Sequence, residues 1–155
     1  MLTQSNLSEI KKTVQEFFQK MTFEVEVDFL TQTEQTLPIN LKTDEPQILI
    51  GERGQTLAEI QHLLKAILRR KIETEEAFYI DLDINDYKKK KNEYLRELAR
   101  SAADEVSLSK KEKILGPMPP YERRVIHMEL AGRSDVVSES IGEGPERRVG
   151  VRPSA

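Results

Sequence analysis

The spacing of apolar residues along this 155-residue chain changes several times, and each change predicts a new element. Leu7, Ile10, Val14, Phe17, Phe18 and Met21 recur at steps of three and four, the stripe of an amphipathic helix. Asn6 with Glu9 three residues on resembles a capping box at its start. From Phe23 to Phe29 apolar and acidic residues alternate strictly, which predicts a half-buried strand. A second alternation follows at Leu37, Ile39 and Leu41, and Pro38, lacking an N–H, suits an edge strand. These two runs predict a hairpin.

Asp44 and Pro46 read as the cap and first turn of a short helix ending at Ile50. Gly51-Glu52-Arg53-Gly54 interrupts it, and a longer helix follows from Gln55 to about Lys71. Its expected inner face is Leu57, Ile60, Leu64, Ile67 and Leu68. Phe78 to Ile84 alternates again, with Tyr79, Asp81 and Asp83 outward. At Asn85-Asp86 the character shifts, and a long basic helix starts near Tyr87, with Tyr94, Leu95, Leu98, Ala102 and Val106 inward. Short strands are expected at 113–115 and 136–140, around a helix from about Pro119 to Leu130, and a last strand runs from Arg147 to Val151. The expected fold class is α+β, as two small α/β sandwich domains over residues 1–85 and 86–155. No repeat or low-complexity stretch interrupts them.

Composition narrows the chemistry. There is no cysteine, so disulfides, thiolate metal sites and thiol nucleophiles are excluded, and His62 and His127 are too few for a histidine-rich centre. No apolar run approaches the roughly 20 residues that span a bilayer, and no signal-peptide pattern opens the chain, so a cytoplasmic protein is expected. The net charge of -3 argues against a basic coat. That charge is unevenly spread, however. Residues 1–50 carry 4 basic and 8 acidic residues, while residues 51–155 carry 20 and 19. The basic residues of the second part come in clusters, among them Arg69 to Lys71, Lys88 to Lys91, Arg123-Arg124 and Arg147-Arg148.

Two motifs carry binding chemistry. In Gly51-x-x-Gly54 the glycines let the backbone turn tightly, and the helix behind them begins with unpaired N–H groups and a positive dipole end. Arg53 adds a charged donor at the tip. This is neither a Walker loop nor a dinucleotide fingerprint, and an ordinary helix–helix turn is the plain alternative. Arg123 and His127, four apart on a predicted helix, share one face. Arginine offers a forked donor to phosphate, and histidine can donate a hydrogen bond or stack on a base. Taken alone, that spacing is better explained by surface charge beside a packed histidine.

The surroundings of both motifs resemble known families. Ile50-Gly51-x-x-Gly54-x-Thr56-Leu57-x-x-Ile60, in the order helix–strand–strand–helix–GxxG–helix–strand, resembles a type II KH domain. Leu115-Gly116-Pro117-Met118, Glu122 to His127, and Ser138-Glu139-Ser140-x-Gly142-Glu143-x-Pro145-x-Arg147-Arg148 resemble the R-three-H (Arg-x-x-x-His) domain. The two in tandem, over about residues 20 to 152, resemble the Jag, or SpoIIIJ-associated, family of bacterial RNA-binding proteins. The resemblance implies that Gly51, Glu52, Arg53 and Gly54 clamp a single-stranded backbone. It places Arg123 and His127 in a second nucleic-acid surface, with Arg124, Arg147 and Arg148 as phosphate contacts. Glu52 stands where the KH family often has a basic residue, and Ile141 where an acidic one is common in the second resemblance. The additional N-terminal domain of many members is not in this sequence.

What the resemblance implies is therefore a post-transcriptional regulator holding single-stranded RNA, or single-stranded DNA, without cofactor or metal and without catalysis. A different class stays open: an interaction module pairing with a small KH-only protein or with the ribosome. Glu52 and the acidic first part favour it; the arginine clusters favour RNA. Lys88 to Lys91 suit either a solvated helix start or a phosphate track, and His62 is expected to be exposed. Asp81 and Asp83 share a strand face but lack a third ligand for Mg²⁺, so solvated carboxylates are the expectation.

Overall fold

Thr3, rather than Asn6, starts the first helix. In the computed structural model, which describes residues 1–155, α1 runs over Gln4–Lys20. Thr3 Oγ1 accepts from the Asn6 N–H and Asn6 Oδ1 accepts from the Thr3 N–H, at 3.1 and 3.0 Å. The reciprocal cap thus lies one turn earlier than expected, because Asn6 can play the part usually taken by Glu or Gln.

The chain divides into two units, Met1–Lys88 and Lys89–Ala155. In the first, β1 (Glu26–Phe29) pairs antiparallel with β2 (Thr36–Lys42), and β2 pairs parallel with β3 (Tyr79–Ile84). The sheet order is β1-β2-β3, so β2 is the central strand. Pro38 therefore sits in the middle of the sheet, not on an edge as expected. Its carbonyl accepts from the Leu30 N–H at 3.0 Å, just past Phe29, the last paired residue of β1. Its nitrogen points the same way, so the missing donor falls where that ladder is ending.

Between the strands lie α2 (Pro46–Ile50) and α3 (Gln55–Lys71). Glu45, not Asp44, takes the cap position of α2, and no side chain bonds there. One core fills this unit. Ile10, Val14 and Phe18 of α1 and Leu57, Ile60, Leu64 and Leu68 of α3 pack with Val27, Leu37, Ile39, Leu41, Ile80, Leu82 and Ile84 of the sheet. Phe17 adds an edge-on contact to Phe18, with ring centroids 5.2 Å apart.

The second unit is built from α4 (Tyr87–Ser109), β4 (Lys113–Ile114), α5 (Pro120–Leu130), β5 (Val136–Ile141) and β6 (Arg148–Pro153), α4 beginning inside the first unit. Its sheet is antiparallel in the order β4-β6-β5. Leu95, Ala99, Ala102, Ala103 and Val106 of α4 share a core with Ile126, Leu130, Val136, Val149 and Val151. Tyr94, expected inward, is 59% exposed, with the Lys91 ammonium over its ring. The buried stripe of α4 runs through Leu95, Ala99, Ala102, Ala103 and Val106, and Tyr94 lies one residue, about 100° of helix turn, off its centre. Arg133 ties α4 to the turn before β5, pairing with both Asp104 and Asp135 at 2.7 Å. Those bonds hold the Asp135 carboxyl well below the usual carboxylate range, the hydrogen bond from Arg133 being the main cause. No helix is long and apolar enough to cross a membrane.

Leu82 is fully buried and Leu63 is 50% exposed in the same unit. Leu82→Ala should lower stability by about 2–5 kcal/mol in urea unfolding, because burial and cavity terms add. Leu63→Ala should change it by less than about 1 kcal/mol. Equal effects would contradict the assigned core.

Candidate nucleic-acid interface

In the first unit the chain must leave α2 and enter α3 almost at once. Gly51 does this at φ 72° and ψ -176°, a region open in practice only to glycine. A Cβ there would stand 2.1 Å from Thr56 Oγ1. Arg53 and Gly54 follow with φ of 54° and 79°. Gly54 is the cap residue of α3, and no side chain bonds the first turn of that helix. The exposed tip, Glu52 and Arg53, therefore stands before a helix N-terminus whose amides have no side-chain acceptor. Ile48, 60% exposed, is an apolar neighbour. Leu57 and Ile60 belong to the core and are closed to a ligand.

In the second unit Arg123 and His127 project from α5 onto the end of β5. His127 Nδ1 lies 2.8 Å from Ser138 Oγ, and its Nε2 lies 2.9 Å from Ser140 Oγ. Arg123 Nη1 donates to the same Ser140 Oγ at 3.0 Å, and its Nε donates to the Met118 carbonyl at 3.2 Å. Ser140 thus joins the two residues. A shallow recess opens beside them, lined by Pro120, Arg124, Met128 and Ala131 as well as Arg123, His127 and Ser140. Burial, and then the charge of Arg123, lower the pKa of His127, which favours the neutral ring. A neutral ring has one donor and one acceptor nitrogen, and two hydroxyls satisfy both.

The arginines after β5 separate. The Arg147 carbonyl accepts from the Met118 N–H at 3.1 Å, and its Nη1 donates to the Gly142 carbonyl at 2.7 Å. Through Met118 it adjoins Arg123. Arg148 alternates with Val149 and Val151, which share the face of Ser140 and Ser138 by the β5–β6 register. It consequently emerges on the opposite face, paired with Glu146 at 3.1 Å. Arg124 is exposed at the recess. No carboxylate pairs with Arg53, Arg123, Arg124 or Arg147, whereas Lys88 is held by Asp81 and Lys91 by Glu122. Half of the lysine run is thereby neutralised. Asp81 and Asp83 are occupied too, Asp83 accepting from the Lys88 N–H at 3.0 Å, and no cluster of metal-ligating residues exists. His62 is exposed.

Ser138 and Ser140 stand inside the second motif but outside the contacts expected from it. Their signal is two hydroxyls at period two on a strand, matching Arg and His at period four on a helix. Because the unfolded chain takes up the His127 proton more readily, the second unit should lose stability as pH falls below about 6.5. In an NMR titration the His127 ring should change charge below 6.5, and Arg123→Ala should raise its midpoint. A midpoint above 6.5 in the unsubstituted protein would contradict this geometry.

The family model of the R-three-H domain matches residues 93–153. A protein of Clostridium symbiosum named RNA-binding protein KhpB is 37% identical over 129 residues, which is 83% of this chain and 57% of that protein. Proteins of the same name from Lactiplantibacillus plantarum and Bacillus subtilis are 33% and 32% identical. Those matches cover 83% and 76% of this chain but 38% and 57% of the relatives. The chain thus spans roughly half the length of the relatives it matches. With an R-three-H domain behind a helix–strand–strand–helix–GxxG–helix–strand unit, and relatives of one name along most of its length, this chain belongs to the Jag family.

Proposed function

We propose that this chain is a bacterial, cytoplasmic RNA-binding protein that acts without catalysis. In this reading the loop Gly51, Glu52, Arg53 and Gly54 holds one stretch of single-stranded backbone. The surface of Arg123, Arg124 and His127, with Arg147 beside it, holds another. The carrying observation is that Arg123 is fixed by two neutral acceptors, Met118 O and Ser140 Oγ, with no carboxylate to cancel its charge. A guanidinium oriented in this way is ready for phosphate at little further ordering cost. The relatives' name, RNA-binding protein, supports the same reading. Arg148 belongs to the reading only as a contact from the other face of the sheet.

Binding is backbone-directed and salt-sensitive, because net charge is slightly negative and the contacts are local. Two to four phosphate contacts give a log–log salt slope of roughly -1.5 to -3. Fluorescence polarisation with single-stranded RNA, single-stranded DNA and duplex across salt should show the single strands bound and this slope. No binding to any of them at low salt would overturn the reading. Arg53→Asp and Arg123→Ala should each weaken RNA binding roughly fivefold or more while circular dichroism stays unchanged.

The alternative, pairing with a small KH-only protein or with the ribosome, is favoured by Glu52, which lies exposed at the loop tip. Size exclusion with and without RNA, and ribosome co-sedimentation, separate the two readings. Under the RNA reading, complex formation in each assay requires RNA.

A further inference from the structure

Neither motif includes Tyr87, yet the backbone around it is unusual. Asn85 and Asp86, the two residues before it, both have left-handed backbone, at φ 49° and 57°. Two successive non-glycine residues in that region persist only where their surroundings fix them. Here the surroundings do. The Asn85 N–H donates to the Leu41 carbonyl at 2.8 Å. Its side chain clasps Thr43 at both ends, accepting from the N–H at 3.0 Å and donating to the carbonyl at 2.9 Å. The Asp86 N–H donates at 3.2 Å to Oδ1 of Asn40, a buried polar residue on the central strand. Asp83 accepts from the Lys88 N–H, and Lys88 Nζ donates to Asp81 at 2.9 Å and to Gln61 at 3.1 Å.

The result of this lashing is the direction in which Tyr87 leaves the turn. Its ring lies against the GxxG loop: a Cβ on Gly54 would stand 3.0 Å from Tyr87 Cε1 and 3.5 Å from its hydroxyl oxygen. On its other side Tyr87 packs on the first unit's core. Gly54 itself is left-handed and lacks any side-chain cap, so the loop has few internal bonds to hold it. Its own closing contact, Gly54 N–H to the Gly51 carbonyl, is long at 3.4 Å.

We propose that Tyr87 is a positioning residue of the GxxG site. The turn Asn85-Asp86, fastened to Asn40 and Thr43, presses its ring against Gly54 and so holds the loop backbone in the shape that meets a single-stranded backbone. The ring does this by packing, so its hydroxyl is dispensable. The inference rests on the RNA reading for its consequence in binding, but its structural half stands apart from RNA.

The test uses the full chain with Tyr87→Ala and Tyr87→Phe, at a temperature where circular dichroism shows both folded. In ¹H–¹⁵N spectra without RNA, the Arg53 and Gly54 amides should shift or broaden in Tyr87→Ala and return in Tyr87→Phe. The amides of Leu64 and Leu82, deep in the core, should stay in place in both. With single-stranded RNA, Tyr87→Ala should bind at least about fivefold more weakly at an unchanged salt slope, and Tyr87→Phe within about twofold of the parent. Loop amides unmoved in Tyr87→Ala would overturn the inference whatever RNA does. Binding unmoved in Tyr87→Ala while Arg53→Asp weakens it would overturn it as well. If Arg53→Asp also leaves binding unmoved, the RNA reading of the loop fails, and the amide shifts alone decide the role of Tyr87.

Discussion

Left-handed backbone at Gly51 and Gly54 is the constraint on which the first unit's proposed interface depends. α2 ends and α3 begins within four residues, and a right-handed path cannot make that turn while leaving the amides of α3 open. Glycine meets the demand without a side chain to collide with Thr56 or Tyr87. Arg53 shares the conformation at a cost of about 1 kcal/mol. The same demand recurs at Asn85 and Asp86, where polar side chains rather than glycine satisfy the turn.

The second unit meets a different demand, that of keeping a guanidinium oriented without neutralising it. A carboxylate partner would fix Arg123 and cancel its charge together. Neutral acceptors fix it and leave the charge available, and Ser140 serves this purpose while also occupying one nitrogen of His127. Arg133 shows the opposite solution in the same unit: two carboxylates neutralise it, and it works as a structural tie. The distinction between these arginines lies in their partners, and it reconciles the proposed phosphate contacts with a net charge of -3.

Elements with a sustained apolar period were legible from the sequence, as were both motifs. The stripe on α3, the alternation of β3 and the pairing of Arg123 with His127 on one helix follow from local spacing alone. Features set by partners distant in sequence were not legible. Pro38 reads as an edge residue until β3 arrives, some forty residues later, to make β2 central. Tyr94 reads as inward, but the core takes the neighbouring stripe of Leu95, Ala99 and Ala102 instead. Arg147 and Arg148 must face opposite ways as neighbours in extended chain, and only the β5–β6 register decides that Arg148 is the one turned from Ser138 and Ser140. Tyr87 lies at the opening of a basic helix, and its role depends on a loop more than thirty residues earlier.

The central claim is that RNA meets this chain at the GxxG loop and at the Arg123–His127 surface. Backbone amide mapping during titration with a short single-stranded RNA at low salt tests it residue by residue. The account predicts shifts concentrated at residues 51–56 and at Arg123, His127, Ser138 and Ser140, with the two cores unmoved. Shifts confined to other surfaces, or none at saturating RNA, would contradict it.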